Sequence, residues 1–248
     1  MNIAPPPADR AGRLAALRAR IRALEGRPGE LERPPVRLGP AVDPLLPGDG
    51  LCRPALHELA GPAATLFALA IAKAALDRPG LLLWCLDEAT VATHGIPWPP
   101  GLAARGLDPG RLVLVRAPDA RATAWAMEEA LSSPAVAVVV GELARADLGL
   151  GRRLQLASER GGGLGLLLRP GPRDGEPSAA RSRWWVTPLP STDRSSRLRL
   201  ELWRVKGGAE AVVEVVVDER TLALAAAPPL ADPAARPPRP ADRLAAAG

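Results

Sequence analysis

The amino-acid sequence predicts an α/β protein whose central sheet is mostly parallel and whose C-terminal part adds antiparallel strands. Two patterns carry that expectation. Between residues 55 and 168, short uninterrupted apolar runs alternate with helix-length segments, as βαβ units require. After Gly171 a polar Pro/Gly stretch gives way to segments in which apolar and charged residues alternate, as on strands with one wet face. At 248 residues, 47% of them hydrophobic, the chain is long enough for one large core with its ends outside it.

The elements follow in order. Residues 11–25, AGRLAALRARIRALE, place Leu14, Leu17, Ile21 and Leu24 at spacings of three, four and three, which is one apolar stripe of a helix. The stretch GRPGELERPP breaks that helix and links it to the core. Strands are expected at 55–60 (ALHELA), 81–86 (LLLWCL), 112–116 (LVLVR), 135–140 (AVAVVV) and 164–168 (LGLLL). Because these read as continuous Val and Leu runs, both of their faces should be covered. Helices are expected at 62–77, 120–132 and 148–160, with a shorter turn near 100–105. The segments RWWVTPL, RLRLELWRV and AVVEVVVDE then form antiparallel strands, the last two joined by the hairpin signal Gly207-Gly208. From Pro228 the sequence has six prolines among Ala and Arg and is too poor in large apolar groups to offset the entropy of ordering, so a disordered tail is expected. The chain thus divides into an N-terminal basic helix and linker (1–40), a core (41–227) and a tail (228–248).

Aromatic residues are scarce, with no Tyr and one Phe, so Leu, Val and Ala fill the core with help from six tryptophans. The net charge of +5 is uneven: the surplus is +4 over residues 1–40, zero over 41–227 and +1 over 228–248. Such an arm suits DNA phosphates or an acidic protein surface, and equally an Arg-rich solvated helix face. Cys52 and Cys85 have no Cys or His at metal-ligand spacing, and His57 and His94 are the only histidines, so free thiols and no structural zinc are expected. The N-terminal segment MNIAPPPADR has no apolar run, and no run elsewhere approaches the roughly 20 residues of a membrane span. A cytoplasmic location without membrane contact is the expectation.

The segment VDPLLPGDGLCRPALHELAGP, with Asp43, Gly48, Gly50, Gly61 and Pro62, resembles the stretch leading into the phosphate-binding loop of RecA. The order that follows also agrees with RecA: a strand ending at Asp87-Glu88, then LAARGLDPGRLVLVRAPDARATAWAMEEAL, then AVAVVVGEL. The wording LVRAPDARATAWAMEEAL, VVVGEL, RRLQLASERGG and GLLLRP is closer still to the ImuA family of bacterial accessory proteins, over about residues 14–225. That resemblance implies a RecA-like three-layer αβα core. It also implies work in SOS-induced mutagenesis beside an ImuB-like inactive Y-family polymerase and, through it, an error-prone DNA polymerase III alpha subunit, with RecA as a further partner.

The departures from the RecA pattern bear on chemistry. A phosphate loop needs G-x-x-x-x-G-K-[ST], because Gly lets the backbone approach, Lys neutralises phosphate and the hydroxyl holds magnesium. Counted from Gly61, those positions hold Leu66, Phe67 and Ala68. Thr65 has no Lys before it, and Lys73 lies well inside the predicted helix. The strand that should end in a metal-linked Asp ends at Gly141, and Glu142 is expected to point to its other side. Glu88 stands where RecA carries a water-activating carboxylate, with no phosphate or metal ligand to serve. Gly61, Pro62, Leu66, Phe67, Ala68 and Gly141 are therefore read as a vestigial nucleotide loop, with neither cofactor nor metal.

Other constellations give less. Ser191, Thr192 and Asp193 lack an inferable His for a hydrolase triad, and Gly161-Gly162-Gly163 reads as a helix C-cap and turn. Trp184 and Trp185 should face opposite sides of a strand, one in the core and one as an interface anchor or partly covered by the 171–182 loop. The expected function is a non-catalytic adaptor, with the stripe Leu14, Leu17, Ile21 and Leu24 as a partner-binding face or as packing for its own core. Three rivals stay open: a SulA-like regulator of cell division, an ATPase with an unorthodox site, and a DNA-binding protein using the basic arm.

Overall fold

A computed structural model of the chain describes residues 33–169, 177–191 and 195–228, within the compact unit Pro35–Gly248 apart from Arg33 and Pro34. The N-terminal stripe, residues 171–176 of the 171–182 loop, Thr192, Asp193 and the tail beyond Pro228 lie outside the described residues. The architecture is mixed α/β, as the sequence predicts.

One nine-stranded sheet runs in the order β3-β2-β4-β5-β1-β6-β7-β8-β9. Its strands are β1 (Ala55–Ala60), β2 (Leu81–Asp87), β3 (Leu112–Ala117), β4 (Val136–Glu142), β5 (Leu164–Arg169), β6 (Ser182–Leu189), β7 (Ser196–Val205), β8 (Ala211–Val217) and β9 (Leu224–Ala226). Strands β1 to β6 pair in parallel and β6 to β9 antiparallel. The helices are α1 (Ala64–Ala75), α2 (Glu88–His94), α3 (Pro99–Ala103), α4 (Ala120–Ser132) and α5 (Leu148–Gly161). Helix α2 and strand β9 had no expected counterpart, and the turn foreseen near 100–105 is the short helix α3.

Two cores sandwich the sheet. On one side α1 contributes Phe67, Ala68 and Ile71, packed against Leu82, Trp84, Val138, Val140, Leu166 and Trp184. On the other, Met127 and Leu131 of α4 and Leu154 and Ala157 of α5 meet Leu56, Cys85, Val139 and Leu167. The alternation of strand side chains explains why consecutive residues such as Val139 and Val140 serve different cores. Val36 and Leu38, joined to the body through the bridge between Val36 and Leu51, are buried in the first core.

Helix starts and stops follow local chemistry. Asp87, Asp119 and Asp147 cap α2, α4 and α5 by accepting hydrogen bonds from the backbone N–H groups of Thr90, Ala122 and Leu150 at 2.7, 2.8 and 2.7 Å. Helix α5 ends at Gly162, whose φ of 75° places it in the left-handed region that glycine tolerates, as the triple-glycine run predicts. Helix α1 differs, since Ala63 at its N-cap supplies no side-chain acceptor.

Candidate functional site

The site lies at the carboxyl ends of β1, β4 and β5, where strand order reverses and open α/β sheets form their crevices. Here Gly61 leaves β1 with φ of 97°, and a Cβ on it would stand 2.5 Å from the carbonyl oxygen of Val186. Only glycine fits that close approach. The N–H of Ala63 donates to the same carbonyl at 3.2 Å, tying the loop to β6 before α1 begins.

The residues that replace the expected Lys and hydroxyl face inward. Phe67 and Ala68 are fully buried, and the Phe67 ring meets the indole of Trp184 edge-on at 5.3 Å. Leu66 is partly buried against the same core. This helical turn is built as packing surface. Thr65 lines the cleft above it, whereas the Lys73 side chain lies near Gly106.

Gly141 and Glu142 reverse one expectation. Strand β4 continues through Glu142, and a Cβ at Gly141 would stand 2.0 Å from Met127 Sδ, so Gly141 faces α4. Glu142 shares the side of Val138 and Val140, lines the cleft beside Gly61, and accepts a hydrogen bond from Trp84 Nε1 at 2.9 Å. The parity of the strand relative to the loop, which sequence alone does not give, decides this. Glu88, by contrast, opens α2 and pairs with Arg116 at 2.7 Å, away from the cleft lining.

The cleft has a volume of about 700 Å³ and brings together Gly61, Pro62 and Thr65 with Trp84, Trp98, Trp185, Glu142, Arg105 and Arg169. Trp184 is in the core, as one member of its pair should be, and Trp185 is half-buried on the cleft wall rather than open on the surface. Trp84, Trp98 and Arg105 were not singled out from the sequence. The only local signal was the run GIPWPP, which sets a tryptophan among prolines and leaves Trp98 69% exposed. Ser191 has Ser195 at 3.5 Å, while Thr192 and Asp193 are outside the described residues.

The buried polar groups beside the cleft are structural. His57 is bonded through Nδ1 to Ser182 Oγ at 2.7 Å and through Nε2 to the Cys52 carbonyl at 2.9 Å. Burial, opposed by the Cys52 hydrogen bond and aided by the nearby Arg181 charge, pulls its pKa down to about 4, so the ring is neutral at physiological pH. Glu58 of β1 sits between Arg183 of β6, at 2.7 Å, and Arg169 of β5, at 3.7 Å, and accepts a hydrogen bond from Ser178 Oγ. The Arg183 guanidinium also lies 4.0 Å from the centroid of the Trp203 ring. Neither Cys52 nor Cys85 is in a disulfide, and burial pushes the Cys85 thiol up to about 12. Among the described residues no group of three His, Cys, Asp or Glu is placed to hold a metal, and no helix is long and apolar enough to cross a membrane.

No family model matches the chain. Two curated relatives from strains of Caulobacter vibrioides, both named Protein ImuA, are each 36% identical to it over 194 residues, covering 68% of this chain and 77% of the relative.

Proposed function

Because the chain belongs to the ImuA family, we propose that it is a non-catalytic adaptor of bacterial DNA-damage-induced mutagenesis in the cytoplasm. In this reading it works by contacts with an ImuB-like inactive Y-family polymerase and, through that protein, with an error-prone DNA polymerase III alpha subunit; RecA is a further partner. The observation that carries the reading is the fate of the phosphate loop. Its lysine and hydroxyl positions hold Phe67 and Ala68, both buried in the core that packs α1 on the sheet. Phosphoryl transfer depends on charge placed around the transferred group and its metal, and an inward-facing phenyl ring and methyl group supply none. Selection acting on this turn as packing, and on the protein as a surface, accounts for both replacements together.

Affinity capture of the tagged chain from DNA-damaged cells, followed by mass spectrometry, tests the adaptor reading. Recovery of the polymerase relative is expected, and recovery of septum components without any polymerase-family protein would reject it. Isothermal titration with ATP in the presence and absence of magnesium, with a phosphate-release assay, tests the non-catalytic part: no magnesium-dependent heat and no phosphate release are expected, and magnesium-dependent binding coupled to phosphate release would show an enzyme.

A further inference from the structure

We propose that the cleft beside the altered loop binds one unstacked nucleotide, its amino-bearing base against Glu142, its ring on Trp98 and its phosphate at Arg105. The inference goes beyond the adaptor reading and does not depend on it.

Each part of the cleft meets one part of such a ligand. Trp98 is 69% exposed yet held in place, because its indole rests against α3 where a Cβ on Gly101 would stand 3.0 Å from Cε3. A fixed and open indole is a stacking platform, and stacking tolerates any base. Glu142 is oriented by the Trp84 N–H at 2.9 Å, and among the described residues no cation pairs with it. Arg105 makes only a long bond, 3.4 Å, to the Gly101 carbonyl, and no described carboxylate pairs with it. The volume of about 700 Å³ is that of a small-ligand cleft.

The charges select among occupants. A basic side chain reaching Glu142 would enter a cleft that also holds the Arg105 guanidinium, and an acidic one would meet Glu142. A base avoids both conflicts, since its neutral amino group donates to the carboxylate while its attached phosphate meets a guanidinium. None of these contacts uses the Gly61 loop or a metal. The same chemistry is presented by a nucleotide within a single strand and by a free one.

The test uses the full chain, labelled oligo-dC, oligo-dA and oligo-dT, and unlabelled dCMP, at raised salt so that phosphate contacts by the N-terminal arginines are weakened. Oligo-dC and oligo-dA should bind more tightly than oligo-dT, because thymine has no exocyclic amino group. Trp98→Ala should weaken binding by about tenfold while Trp98→Phe keeps most of it, and Glu142→Ala should erase the preference over oligo-dT. Competition by dCMP identifies a free nucleotide as the source, and strand binding without such competition identifies the single strand; either supports the site. Equal affinity for all three oligonucleotides, indifference to Trp98→Ala, or loss of binding when magnesium is chelated overturns it. So does a cleft whose Trp98→Ala variant loses only protein partners, with no oligonucleotide bound by the parent chain. Trp98 is exposed, so an unchanged melting temperature in its variants separates lost binding from lost folding.

Discussion

At Phe67 the sequence places a side chain where a nucleotide-binding relative of RecA would need a lysine, and packing gives the reason it stays. The ring is fully buried against Trp184, so Phe67→Lys should destabilise the protein by about 3 kcal/mol or more, through a lost aromatic contact and a buried charge. Urea unfolding should show the lower midpoint, and titration should show no gain of ATP binding. An unchanged midpoint would mean that the turn is not structural. His57 supports a second prediction at this scale. Its pKa is about 4 when folded and near 6.5 in an unfolded chain, so between those values the unfolded state alone takes up a proton. Stability from this group is complete above about pH 6.5 and falls as pH drops toward 4, by roughly 3 kcal/mol in all. Unfolding curves of the parent and His57→Asn between neutral and mildly acid pH should differ in slope in that direction; parallel slopes would exclude the effect.

Glu58 joins three strands rather than serving the cleft. Its carboxylate links β1 to Arg183 on β6 and Arg169 on β5, and all three side chains are nearly buried. The 2.7 Å contact to Arg183 Nε is an ion pair by distance without hydrogen-bond alignment. Charge compensation therefore matters here more than directionality. Removing one member of a buried ion network leaves uncompensated charge, so Glu58→Ala should cost about 3–5 kcal/mol, measured as a lower melting midpoint. A loss below about 1 kcal/mol, the size of an exposed pair, would show that solvent reaches the network. The helices show how local chemistry limits what an element can do. Three of them begin at an aspartate cap, whereas α1 begins at Ala63 with no side-chain acceptor.

For the whole molecule, the proposed adaptor role would use surfaces carried on the nine-stranded sheet of the described residues and on the segment before it. The basic surplus of residues 1–40 and the stripe Leu14, Leu17, Ile21 and Leu24 lie in or beside that segment. If the stripe is a docking face, Leu17→Glu combined with Ile21→Glu should abolish capture of the polymerase relative while the main transition stays cooperative. Collapse of that transition would make the stripe part of the fold instead.

The sequence by itself determined the parallel strands as Val and Leu runs, the glycine stop of α5 and the residues standing at the loop's lysine and hydroxyl positions. These are legible because periodicity and capping are set by neighbours a few residues apart. Only the tertiary structure decided that Glu142 faces the loop, because a strand's parity has no meaning until its neighbours and covering helices fix which face is which. It also decided that Trp84, Trp98 and Trp185 share one cleft with Arg105. Those residues come from segments far apart in the chain, brought together where parallel strands end side by side, and no local spacing encodes that meeting.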